Sequence, residues 1–127
     1  MNFFDKLEER PRLIWSITVS YMILIFILSS ISHLPQPSRE PYLPVIEHIM
    51  EYAILSVLLF SALLSTRKYD MKEILILAVI VTVLYGLSDE IHQLYVPGRV
   101  SSLDDFIADT LGALVGSFMQ VFRLNSD

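Results

Sequence analysis

The chain is 127 residues long, 54% hydrophobic and only 18% charged, with a mean hydropathy of +0.55. A soluble domain of this length exposes too much surface for that balance, and disorder needs the opposite composition. The lack of cysteine removes disulfide scaffolds, thiol nucleophiles, iron–sulfur clusters and Cys-ligated zinc, while a net charge of −5 leaves no footprint for nucleic acid. A small integral membrane protein is what remains.

Residues Met1 to Arg12 form a polar, amphipathic lead, with Phe3, Phe4 and Leu7 set against Asp5, Lys6, Glu8 and Glu9, and are expected at the membrane interface. Crossing a bilayer takes about 20 apolar residues. The first such run spans about 13–31; it is longer than a signal-peptide core and no small-x-small site follows, so it reads as a retained helix. A proline-rich connection, Pro35 to Pro44, leads to a second run at about 45–64, with Glu47, His48 and Glu51 in its first turns. The third run, about 74–95, is apolar to Leu87, continues as Ser88-Asp89-Glu90-Ile91-His92-Gln93, and stops at Pro97-Gly98. The fourth, about 103–122, opens on Asp104, Asp105 and Asp109. The expectation is one all-α domain over residues 1–127, an integral membrane four-helix bundle.

Lysine and arginine counts set the expected orientation, because positive loops stay cytoplasmic. Lys6, Arg10, Arg12, Arg67, Lys68, Lys72 and Arg123 fall on one side, and Arg39 and Arg99 on the other. Both termini are therefore expected in the cytoplasm of a multi-pass cell-membrane protein. This topology gathers Ser29, Ser30, His33, Glu47, His48, Glu51, Asp89, Glu90, His92, Gln93, Asp104, Asp105 and Asp109 at the outer leaflet. An ionisable group in a membrane helix costs roughly 2.5–3.5 kcal/mol, so such a cluster points to function.

Helical spacing says which of these share a face. His48 lies three before Glu51 and four before Tyr52; Asp89 lies three before His92 and four before Gln93; Asp105 lies four before Asp109. Gly112 and Gly116 continue the last stripe, and small residues four apart let a neighbouring helix approach closely. Together, His48-x-x-Glu51-Tyr52, Ser88-Asp89-Glu90-Ile91-His92-Gln93, Val96-Pro97-Gly98-Arg99 and Asp105-x-x-x-Asp109-x-x-Gly112-x-x-x-Gly116 resemble the VanZ-like family, over roughly Ser29 to Gly116. The resemblance implies a small four-helix membrane protein, and its name-giving member is associated with resistance to the glycopeptide teicoplanin. Asp109 stands where the resemblance implies Asn in many relatives.

Several polar residues have plain structural readings. Glu47 and Asp104 sit at helix starts, where carboxylates are favoured; Ser29 and Ser30 can bond their own helix backbone; Glu90 either faces headgroups or pairs with Arg99. His48, Glu51, Tyr52, Asp89, Glu90, His92, Gln93, Arg99, Asp105 and Asp109 form the candidate ligand-binding set. Hydrogen-bonded glue between membrane helices contributes only roughly 0.6 kcal/mol per bond, which does not account for so many carboxylates on one patch. Two functions compete. One is a cleft that binds a membrane lipid or lipid-linked cell-wall precursor, with Arg99 on a phosphate. The other is a membrane-embedded enzyme, with Glu51, Asp89, His92 and Asp105 as candidate catalytic groups. A transporter is a weaker third, because no repeat or broken-helix pair is present. Crowded carboxylates also call for positive charge, from His48 and His92 or from a divalent cation on Glu51, Asp89 and Asp105, although no tight ligand motif marks a metal. The apolar exterior suits a dimer or a monomer covered by lipid.

Overall fold

A computed structural model describes residues 1–32 and 42–126; His33, Arg39 and most of the proline-rich connection lie outside the described residues. The described part is all helical, without strands: α1 (Phe3–Glu8), α2 (Pro11–Ser29), α3 (Leu43–Ser65), α4 (Met71–Gln93) and α5 (Leu103–Ser126). The last four are long and apolar enough to cross a membrane. Their exteriors carry exposed Ile23, Phe26, Ile54, Ile80, Leu84 and Phe118, a surface suited to lipid and not to water.

The helix limits differ from the apolar runs by a few residues at each end. Proline occupies the first position of α2, where its missing N–H is no loss. Helix α4 begins three residues before its apolar run because Asp70 and Glu73 form a reciprocal capping box. It ends at Gln93, two residues before the expected limit, and α5 carries on four residues beyond Phe122 to Ser126.

Helix α3 is the hub, packing on every other helix, while the backbones of α2 and α5 stay apart. The tightest seam is α3 on α5. A Cβ added at Gly112 would meet the carbonyl of Ile49, and one at Gly116 that of Ala53, so the two backbones lie against each other. Ser56 locks the seam, donating to Ala113 O at 2.7 Å and lying 2.6 Å from Ser117 Oγ. The apolar core is built from Ile25, Tyr52, Leu55, Leu59, Phe60, Ile74 and Ala78. The amino-terminal lead does not lie loose. It forms α1, which buries Leu7 against Ile14 and Ala62.

Helices α2 and α4 end, and α3 and α5 begin, at one end of the bundle, here called the polar end. The opposite, basic end holds α1, Arg67, Lys68, Lys72 and Arg123.

Candidate functional site

The polar end contains two neighbouring arrangements, an open cleft and a buried seam. The cleft, of about 440 Å³, is bounded by α2, α3 and α4 and by Arg99; its polar lining is Ser29, Glu47, His48, Glu51, Asp89, Gln93 and Arg99. The i, i+4 spacing brings Asp89 and Gln93 together, with Gln93 Nε2 donating to Asp89 Oδ2 at 3.1 Å. The buried hydroxyl of Tyr52 donates to the same oxygen at 3.2 Å. Tyr52 therefore supports Asp89 from the core and does not line the cleft.

Arg99 is placed by its turn. Val96 O accepts from Arg99 N at 3.1 Å around Pro97-Gly98, and Gly98 has φ 80, as the third position of a type II turn requires. The turn sends the guanidinium back to α2, where Nε donates to Ile31 O at 3.0 Å and Nη2 to Leu28 O at 2.7 Å. Leu28 lies in the last turn of α2 and Ile31 just beyond it, so Arg99 braces the carboxyl end of that helix and also forms a cleft wall. The expected ion pair of Arg99 with Asp105, Asp89 or Glu90 does not form among the described residues. Two of the five guanidinium N–H groups go to carbonyls, which leaves others for an anion in the cleft.

The seam lies where α3, α4 and α5 meet. Asp109 is fully buried, and its Oδ1 lies 2.7 Å from His48 Nδ1. His48 Nε2 lies 3.9 Å from Asp105 Oδ2. Glu90, 4% exposed, neither faces headgroups nor pairs with Arg99. Its Oε2 accepts from Ser101 Oγ at 3.0 Å and from Ser102 N at 3.1 Å, tying α4 to the residue just before α5. Ser102 Oγ in turn caps α5 by accepting from Asp105 N at 3.0 Å. One ligand atom from each of His48, Glu90 and Asp109 lies within 4.8 Å of the other two. Glu51, Asp89 and Asp105, the cation set expected from the sequence, form no such group among the described residues.

The ten expected ligand-binding residues thus separate. His48, Glu51, Asp89, Gln93 and Arg99 line the cleft, with Tyr52 behind it. Glu90, Asp105 and Asp109 belong to the seam, which His48 shares. His92 leaves both: its Nε2 lies 2.9 Å from Ser30 Oγ and its ring stacks on Phe26 at 4.5 Å. Three residues along a helix is 60° short of a full turn, enough to swing His92 from the face of Asp89 onto α2. Glu47 and Ser29 line the cleft although both had plain structural readings. The i, i+4 step from Glu47 to Glu51 was the available signal.

A family model described as VanZ/LLP1 matches residues 13–124. The chain belongs to the VanZ/LLP1 family. That match includes every residue of the cleft and the seam, whereas α1 lies outside it. With its four apolar helices, this VanZ/LLP1 member is a multi-pass membrane protein. Nothing among curated proteins or solved structures matches it.

Proposed function

We propose that this VanZ/LLP1 protein binds the polar headgroup of a membrane lipid or lipid-linked cell-wall precursor in the cleft at its polar end, and through that binding contributes to resistance to teicoplanin-type glycopeptides. The observation that carries the reading is the cleft itself. It lines one space with a guanidinium, the carboxylates of Glu47, Glu51 and Asp89 and the amide of Gln93, at the end of an apolar bundle. Arg99 suits a phosphate, and the carboxylates suit the hydroxyl or amine donors of a glycan- or amino-bearing headgroup. The excess of lysine and arginine at the basic end favours a cytoplasmic location for it, which turns the cleft to the outer leaflet. An enzymatic reading draws on one contact, the His48–Asp109 pair at 2.7 Å, which resembles a base oriented by a carboxylate beside the cleft.

The orientation is tested first, since the cleft can meet an external glycopeptide only from outside. Tyr69 and Val100 are exposed in connections at opposite ends, and the chain has no cysteine to interfere. In intact cells an impermeant thiol reagent should label Val100→Cys and spare Tyr69→Cys; the reverse pattern sinks the proposal. Binding is then read by native mass spectrometry of protein extracted from membranes. Phosphate-bearing lipid or precursor should co-purify with wild type and be lost from Arg99→Ala, and equal retention would refute the headgroup assignment.

A further inference from the structure

Behind the cleft, α3, α4 and α5 each deliver one ligand-bearing residue to a common point: His48, Glu90 and Asp109. Asp109 is 0% exposed and Glu90 4%. Each has one carboxylate oxygen engaged and one idle. Asp109 Oδ1 holds His48 while Oδ2 has no hydrogen-bond partner, and Glu90 Oε2 holds Ser101 and Ser102 while Oε1 has none. Buried polar atoms are nearly always satisfied, and an idle carboxylate oxygen is among the costliest exceptions. Asp109 Oδ2 lies 3.1 Å from where a Cβ on Gly86 would stand, one turn before Glu90 on α4. It therefore faces the helix that carries the other idle oxygen. Among the described residues, neither carboxylate has a lysine or arginine partner.

We propose that His48, Glu90 and Asp109 form a binding site for one divalent cation of the zinc or manganese class. The site shares His48 with the headgroup cleft but does not rest on that assignment. One imidazole nitrogen selects transition ions over magnesium and calcium, and two carboxylates balance a charge of two in a medium that tolerates no excess. Ligand atoms around one such ion stand about 3–4 Å apart, so atoms no more than 4.8 Å apart close on it by small rotamer adjustments alone. Coordination through Nδ1 moves the proton of a neutral His48 to Nε2, which faces Asp105 Oδ2 at 3.9 Å. Metal-binding imidazoles ordinarily have such a carboxylate on their far nitrogen. Asp105 is thus a positioning residue for His48, and the idle oxygens of Asp109 and Glu90 acquire a partner.

The test uses the full-length protein in detergent, without a histidine tag, stripped with chelator and titrated with Mn²⁺ and separately with Zn²⁺ by calorimetry. The expected result is one ion per protein molecule, with at least about tenfold weaker binding in Asp109→Asn and in Glu90→Gln. Glu51→Gln, in the cleft, should bind as wild type does. Both neutral variants keep the hydrogen bonds made by the parent residue, and circular dichroism establishes that they fold. Wild type loaded with Mn²⁺ supplies a readout free of mutation: electron spin-echo modulation should show one imidazole nitrogen. Failure of folded wild type to bind either ion overturns the proposal, as does a missing nitrogen signal. Affinity unchanged in Asp109→Asn and Glu90→Gln, or lost in Glu51→Gln, places the ion elsewhere and overturns it too.

Discussion

The two ends of the bundle treat buried charge in opposite ways. At the basic end Arg123 reaches Asp5 at 2.8 Å and Glu8 at 2.6 Å, donates to Gln120 Oε1 at 2.6 Å, and lies over the Phe4 ring at 5.4 Å. Glu8 also accepts from Ser61 Oγ, which accepts from Gln120 Nε2 in turn. Cation, anions and hydroxyl close on one another, and the network fastens α1 to α3 and α5. At the polar end Asp89, Glu90 and Asp109 are buried, and the nearby guanidinium of Arg99 serves backbone carbonyls of α2. A closed network explains itself as structure. An open one, with idle carboxylate oxygens and an adjoining cleft, does not, and both proposals rest on that difference.

Substitutions can break or sharpen this contrast, and the expected effects on stability fall in a definite order. Arg123→Ala strands Asp5 and Glu8, and should lower unfolding free energy in detergent by about 2 kcal/mol, short of a fully buried pair because Asp5 is partly exposed. On the proposed function, resistance in this variant should follow only the amount of folded protein; resistance lost at normal levels would give the basic end a function of its own. Arg99→Lys should cost about 1 kcal/mol by weakening the brace on α2, and should impair resistance at normal membrane levels because the planar fork is gone. A wild-type phenotype in Arg99→Lys with failure in Arg99→Ala would reduce the requirement to a point charge. Asp89→Asn and Asp105→Asn should cost nothing or stabilise slightly, since amides still hydrogen-bond and carry no insertion penalty. They should nevertheless abolish resistance. Intact resistance with unchanged melting would make the polar end a packing device like the basic one.

The contrast also marks what is legible in a sequence before it folds. The four crossing helices follow from run length, and the Asp89–Gln93 bond and the Gly112/Gly116 seam from helical spacing, because each signal is local. The basic-end network is invisible at that level. Arg123 is far in sequence from Asp5 and Glu8, and each looks like an ordinary residue at a helix end. Glu90 is ambiguous for the same reason. Its burial depends on where the turn after α4 returns the backbone, which brings Ser101 and Ser102 over its carboxylate. Arg99 is legible as a residue near the cleft mouth but not in its partners, since backbone carbonyls around the end of α2 carry no sequence signature.

The contact of α3 with α5 at Gly112 and Gly116 has a genetic consequence. The atoms nearest the missing Cβ positions are carbonyl oxygens of Ile49 and Ala53, which any helix-forming residue at those two positions supplies. The backbone contact therefore holds the glycines to a single amino acid, whereas the residues they face are limited only by the packing of their own half-buried side chains. A saturation library of this gene should show two intolerant glycines facing two more permissive positions, an asymmetry that interdigitated packing between equal partners would not produce.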